Sequence, residues 1–66
     1  MIKREILSDT DSIYNYMDGD KVLGYLEIRL VDGVIDIMNI FVNEENRKQG
    51  IATSLMEEMF KNEEYS

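Results

Sequence analysis

Apolar and polar residues alternate along Lys21–Val31, and this alternation predicts a β-strand. Val22, Gly24, Leu26, Ile28 and Leu30 fall on one face, with Lys21, Leu23, Tyr25, Glu27, Arg29 and Val31 on the other. Val34–Val42 is a strand of different character. Its two faces, Ile35, Ile37, Asn39, Phe41 and Asp36, Met38, Ile40, Val42, are both mainly apolar. That pattern predicts a central strand covered on each side. Ile13–Met17 is rich in strand formers. Asp18-Gly19-Asp20 and Asp32-Gly33 read as tight turns between these runs. From Gly50 the period changes. Ile51, Leu55, Met56, Met59 and Phe60 recur at helical spacing, with Lys61 near the end that favours a cation. Ser8–Ser12 reads as a turn, and Ile2–Leu7 as either a helix end or an edge strand.

The fold class predicted is α+β: an antiparallel three-stranded meander over residues 13–17, 21–31 and 34–42, followed by one amphipathic helix over 50–62. One helix covers only one face of such a sheet. The apolar residues left on the other face predict a covering partner, either a second copy or another chain.

Composition narrows the function classes. The chain has 66 residues and therefore at most one domain. It has no Cys and no His. Disulfides, Cys/His zinc sites, cysteine nucleophiles and His-based triads are excluded. Asp and Glu number 14 against 7 Lys and Arg, a formal net charge of −7. That balance argues against nucleic-acid binding, which depends on neutralising phosphates. No apolar run is long enough to span a bilayer, and no signal-peptide pattern follows the N-terminus. A cytoplasmic protein without a membrane partner is the expectation. The acid pairs Glu44-Glu45, Glu57-Glu58 and Glu63-Glu64 read as solvated surface. Asp9 and Asp11 do not begin a calcium loop, because Ile13 and Tyr14 stand at its fifth and sixth positions. Tyr14, Tyr16 and Tyr25 read as sheet packing, and Met38, Met56 and Met59 as core fillers.

The candidate chemistry lies in Asn43–Thr53, which joins an apolar strand to the helix. Arg47-Lys48-Gln49-Gly50-Ile51-Ala52 stands at the helix start. The first N–H groups of a helix lack intrahelical partners and carry partial positive charge. Gly50 and Ala52 are small enough to let a phosphate approach the backbone. Two of the seven basic residues, Arg47 and Lys48, stand here side by side. An ordinary strand-to-helix loop, whose glycine merely eases a turn, has the same local composition.

Arg47-x-x-Gly50-x-Ala52 resembles the Q/R-x-x-G-x-G/A motif of the GNAT superfamily of N-acetyltransferases. The surrounding run is similar too: Gly24–Arg29, a turn, Ile35–Val42, then Asn43–Met56. It looks like the stretch from the third strand to the third helix of that fold, nearest its RimI-like group, which acetylates protein N-terminal amines. Asn39 stands where RimI-like sequences tend to carry Asn. The resemblance covers most of the chain, residues 13–61. It implies a partial acyl-CoA N-acyltransferase fold, with residues 1–66 as a single partial domain. It also implies acetyl-CoA as co-substrate and an amine acceptor, with a protein N-terminus as one candidate. Backbone N–H groups of Arg47, Lys48, Gln49, Gly50, Ile51, Ala52 and Thr53 would grip the coenzyme A pyrophosphate. The backbone of Ile40, Phe41 and Val42 would bind the pantetheine and acetyl group, and a bulge there would splay the sheet.

The later strand, helix and hairpin of the family have no counterpart in this sequence, so a truncated or fragmentary form is expected. No residue matches the family's catalytic acid or base. Asp36 and Glu27 are the strand carboxylates that could be imagined as bases. Asp36 shares a strand face with Met38 and Ile40, where burial would make it more basic, but such a residue is more often a rim carboxylate near a turn. The rival reading is a non-catalytic binding or assembly module, built on the same core and self-associating through its uncovered sheet.

Overall fold

The computed structural model describes residues 1–63. Four strands, β1 (Ile2–Ile6), β2 (Asp11–Asp18), β3 (Lys21–Val31) and β4 (Val34–Val42), form an antiparallel sheet in sequence order. A 3-10 turn at Glu44–Asn46 leads to the helix α1 (Ile51–Glu63). The meander thus has four strands where the sequence predicts three. Ile2–Ile6 is an edge strand rather than a helix end, and the backbone N–H of Met17 extends its ladder by bonding the Met1 carbonyl at 2.6 Å. The turn before β2 is shorter than expected, because Asp11 and Ser12 already pair with Arg29 and Ile28. Gly19, at φ 61°, opens the β2–β3 turn. Asp32 and Gly33, at φ 53° and 79°, make the β3–β4 turn, as two-residue hairpin loops of the primed type require.

Two bulges decide which residues face the helix. In β3 the pairing passes from Tyr16–Gly24 to Met17–Val22, so Leu23 is the extra residue. Leu23 is buried in the core and Val22 is exposed, the reverse of strict alternation. In β4 the pairing passes from Glu27–Asn39 to Ile28–Ile37, so Met38 is the extra residue. The bulge shifts the phase of the strand. Ile35 and Ile37 before it, with Ile40 and Val42 after it, lie opposite Leu30, Ile28, Leu26 and Gly24 on the helix side. This explains why both faces of β4 read as apolar. One apolar face has been divided between two phases. β4 is an edge strand and not a central one. Ile37, Met38, Ile40 and Phe41 are all exposed by 43–47%.

The core is one cluster: Tyr14, Leu23, Leu26 and Ile28 from the sheet, and Ile51, Leu55 and Met59 from α1. The helix residues are spaced by four, so a single stripe faces the strands. α1 leaves the opposite sheet face uncovered. There Tyr25 and Phe41 stack with ring centroids 5.7 Å apart. On the same face Arg29 Nε donates to Asp11 at 2.9 Å, and this hydrogen bond holds the Asp11 carboxyl below the usual carboxylate range. No helix among the described residues is long and apolar enough to cross a membrane.

The C-terminal end of α1 is held by polar contacts. Glu63 is buried, not solvated as its charge suggests; its neighbour Glu64 lies outside the described residues. The Tyr14 hydroxyl donates to Glu63 Oε2 at 2.5 Å, and Arg4 Nε donates to the same oxygen at 3.0 Å. An Arg4 terminal nitrogen pairs with it at 2.8 Å. The cluster ties β1, β2 and α1 together. Burial, then the bond to Glu63, pushes the Tyr14 hydroxyl up to about 12 from its ordinary 10.0. The folded chain therefore holds this proton more tightly than the unfolded chain. The stability linked to it is fully present below pH 10 and is lost as pH rises towards 12. Urea unfolding across this window should show a fall in stability that is shallower in Tyr14→Phe. Equal slopes in the two proteins would remove Tyr14 as the group responsible.

Candidate functional site

The end of β4 and the start of α1 meet at an open cleft of about 260 Å³. Val42 lines it from the strand, Arg47, Lys48 and Gly50 from the loop, and Ile51, Ala52 and Thr53 from the first helical turn. Seven of the ten candidate residues are thus brought together. Ile40, Phe41 and Gln49 do not line it. Ile40 faces the helix side opposite Leu26, whereas Phe41 lies on the far face with Tyr25. Gln49 is exposed in the loop.

The loop is shaped by two left-handed residues. Lys48 has φ 72° and Gly50 has φ 75°. Gly50 accepts the first helical bond, from Ser54 N–H at 2.9 Å. By helix geometry the N–H groups of Ile51, Ala52 and Thr53 then lack intrahelical partners. No acidic residue stands in this first turn, although acids outnumber bases two to one in the chain. The positive end of the helix dipole is therefore left uncompensated by side chains of its own turn. Arg47 Nε donates to the Val42 carbonyl at 3.2 Å and fastens the loop to the strand end. Asn43 does the same one strand away, through its N–H to the Leu23 carbonyl at 2.9 Å and its side-chain amide to the Val22 carbonyl at 3.2 Å.

Asn46 also lines the cleft, and the sequence pattern does not single it out. Its side-chain oxygen is buried with no hydrogen-bond partner among the described residues. Such an orphaned acceptor is uncommon and calls for a donor. Its position next to Arg47, within the anion-type loop, is the one signal the sequence carries. Asp36 and Glu27 do not line the cleft. Asp36 stands opposite Arg29, and Glu27 opposite Asn39, on the face turned away from α1. Among the described residues no cluster of three or more acidic side chains is placed to hold a metal ion.

The arrangement suits an elongated ligand with an anionic section. Unpartnered N–H groups and the Arg47 and Lys48 side chains offer donors and positive charge to an anion, with Val42 of the strand end on the opposite wall. The family model of the Acetyltransferase (GNAT) family matches residues 2–62. No curated protein and no solved structure matches the chain.

The two left-handed residues should respond oppositely to substitution. Nothing lies within 4 Å of a Cβ at Gly50, so Gly50→Ala costs backbone strain alone. Gly50→Ala should lower stability by about 1 kcal/mol, and Lys48→Gly should raise it by up to about 1 kcal/mol. Thermal denaturation of the two variants checks this. A stabilised Gly50→Ala would show that the loop backbone is not held in this geometry.

Proposed function

The chain belongs to the acetyltransferase (GNAT) family, and from that premise we propose that it is an acetyl-CoA-dependent N-acetyltransferase that holds its donor in this cleft. The observation that carries the reading is the acid-free first turn of α1 behind Gly50, with Arg47 and Lys48 beside it. The N–H groups of Gly50, Ile51, Ala52 and Thr53 would receive the diphosphate, with Arg47, Lys48 and Gln49 at its edge. The strand end Ile40, Phe41 and Val42 would receive the pantetheine arm along its backbone. The Met38 bulge, two residues earlier, supports this assignment, because a bulge disrupts the ladder and bends the strand next to where the arm would bind. The orphaned Asn46 oxygen offers an acceptor on the same wall.

Acetyl-CoA supplies an activated acetyl group: an acceptor amine bonds to its carbonyl carbon, the carbon–sulfur bond breaks, the amine loses a proton and the CoA sulfur gains one. These residues bind and orient the donor. We assign no catalytic acid or base to this chain, since Asp36 and Glu27 face away from α1. A protein N-terminus is the acceptor we favour, on the RimI-like character of Asn39 and the loop, and the cytoplasm is the compartment.

The donor site is tested by calorimetry with acetyl-CoA. Saturable binding is expected, and Arg47→Glu with Lys48→Glu should weaken it by about tenfold or more, while the lost Arg47 bond to the Val42 carbonyl lowers stability by about 1 kcal/mol and leaves the chain folded. Equal affinity in the wild type and the double variant would remove the side chains from the phosphate cradle. A folded wild-type chain that does not bind would overturn the reading.

The exposed Ile37, Ile40 and Phe41 also favour a covering partner on β4, a second copy or a completing chain. If the partner is a second copy, light scattering gives a mass above that of one chain. A strict monomer with an intact sheet would count against a second copy.

A further inference from the structure

Three of the four glycines, Gly19, Gly33 and Gly50, stand at positive φ, and a methyl added to any of them would meet nothing within 4 Å. They serve backbone conformation. Gly24 is different. It lies inside β3, paired with Tyr16 on one side and Val42 on the other, and its φ is not in the left-handed region. A glycine in a strand interior forfeits side-chain packing and costs backbone entropy, so its place there marks a close approach. A Cβ on Gly24 would lie 2.8 Å from the Phe41 carbonyl oxygen, 3.2 Å from Ile51 Cγ2 and 3.2 Å from Val42 Cγ2. The first of these is a contact that real Cβ atoms do not make, and it is with backbone.

Val42 and Ile51 both line the cleft, one from the strand and one from the helix. Both rest on Gly24. We propose that Gly24 is a positioning residue for the cleft: its bare Cα sets the gap between the end of β4 and the first turn of α1. The inference rests on the acyl-CoA reading above and deepens it. The N–H donors that meet the diphosphate belong to α1, whereas the backbone that meets the pantetheine belongs to β4. A ligand that touches both is sensitive to their spacing, and one that touches α1 alone is not. A methyl at Gly24 must push the Phe41 carbonyl, the helix, or both, because the core around it is close-packed. The two halves of the site then lose their register.

The test is a ratio of affinities. CoA spans both halves, and adenosine diphosphate carries the diphosphate without the pantetheine arm. Calorimetry on the folded Gly24→Ala chain should show CoA weakened by about tenfold or more, with adenosine diphosphate changed by less than about twofold. A purely structural role for Gly24 moves stability but leaves this ratio at its wild-type value, and that result would overturn the inference. As a second control, Tyr14→Phe perturbs the opposite end of α1, and its ratio should match the wild type. Should Gly24→Ala not fold, the ratio is read in Gly24→Ala/Val42→Ala/Ile51→Leu against Val42→Ala/Ile51→Leu. These changes remove both side-chain contacts and leave the strand carbonyl as the one atom that must move. An unchanged ratio there also overturns the inference. A wild-type chain that binds adenosine diphosphate and CoA with equal affinity removes the two-part site on which Gly24 acts. A wild-type chain that binds neither removes the functional reading, and this inference with it.

Discussion

Leu55 is fully buried at the middle of α1, in one cluster with Tyr14, Leu26 and Ile28, and the rest of the structure is arranged around that contact. A chain this small buries only about 60% of the surface its unfolded form exposes, so its core has little surplus. One helix of 13 residues must dry one face of four strands. It does so over β2 and β3, where the buried residues concentrate, and leaves the outer part of β4 open. The two edges of the sheet differ accordingly. β1 is short and carries Lys3, Arg4 and Glu5, which discourage further pairing. β4 has nine residues, of which Asp36 is the one charged side chain.

The ends of α1 are held by opposite chemistry. Its first turn packs through Ile51 onto the bare Cα of Gly24, so the backbone of the helix start comes close to the sheet. Its last turn is fixed by Glu63, which receives the Tyr14 hydroxyl and the Arg4 guanidinium. A buried carboxylate needs such partners, because desolvation without them costs more than the packing returns. An apolar contact at one end and a charged one at the other leave the positive helix terminus free to face the cleft. The acids are distributed to match. They crowd the turns and the far end of the helix, and none stands in its first turn.

Both bulges set the core, and the one at Met38 also sets which strand-end residue lines the cleft. Without the extra Met38, Ile40 and Val42 would turn to the far face with Asp36, and the strand end would present Phe41 to the helix. Without the extra Leu23, the start of β3 would expose a core residue and bury Val22. Neither bulge is marked by a proline or by a glycine in a turn. Each is a packing outcome: the phase that buries more apolar surface against α1 outweighs the lost ladder bond.

The sequence by itself determined the α+β class, the two long strands, both hairpin turns and the motif helix. These rest on local causes: alternation, positive-φ residues at Asp32-Gly33 and Gly19, and a four-residue apolar spacing from Ile51 to Met59. The helix start behind Gly50 was legible for the same reason, since small residues beside Arg47 and Lys48 are a local feature. Tertiary structure decided the rest. Ile2–Ile6 became a strand because β2 offered it a ladder and Glu63 offered Arg4 a partner 59 residues away. Glu63 is buried although its charge predicts exposure, and β4 is an edge although its composition predicts a centre. Nothing local marks the close approach at Gly24, because what matters there is the distance to Phe41, Val42 and Ile51, and Asn46 is marked only by standing next to Arg47. Composition and periodicity report what a residue prefers; contacts at long sequence separation report what the fold allows it.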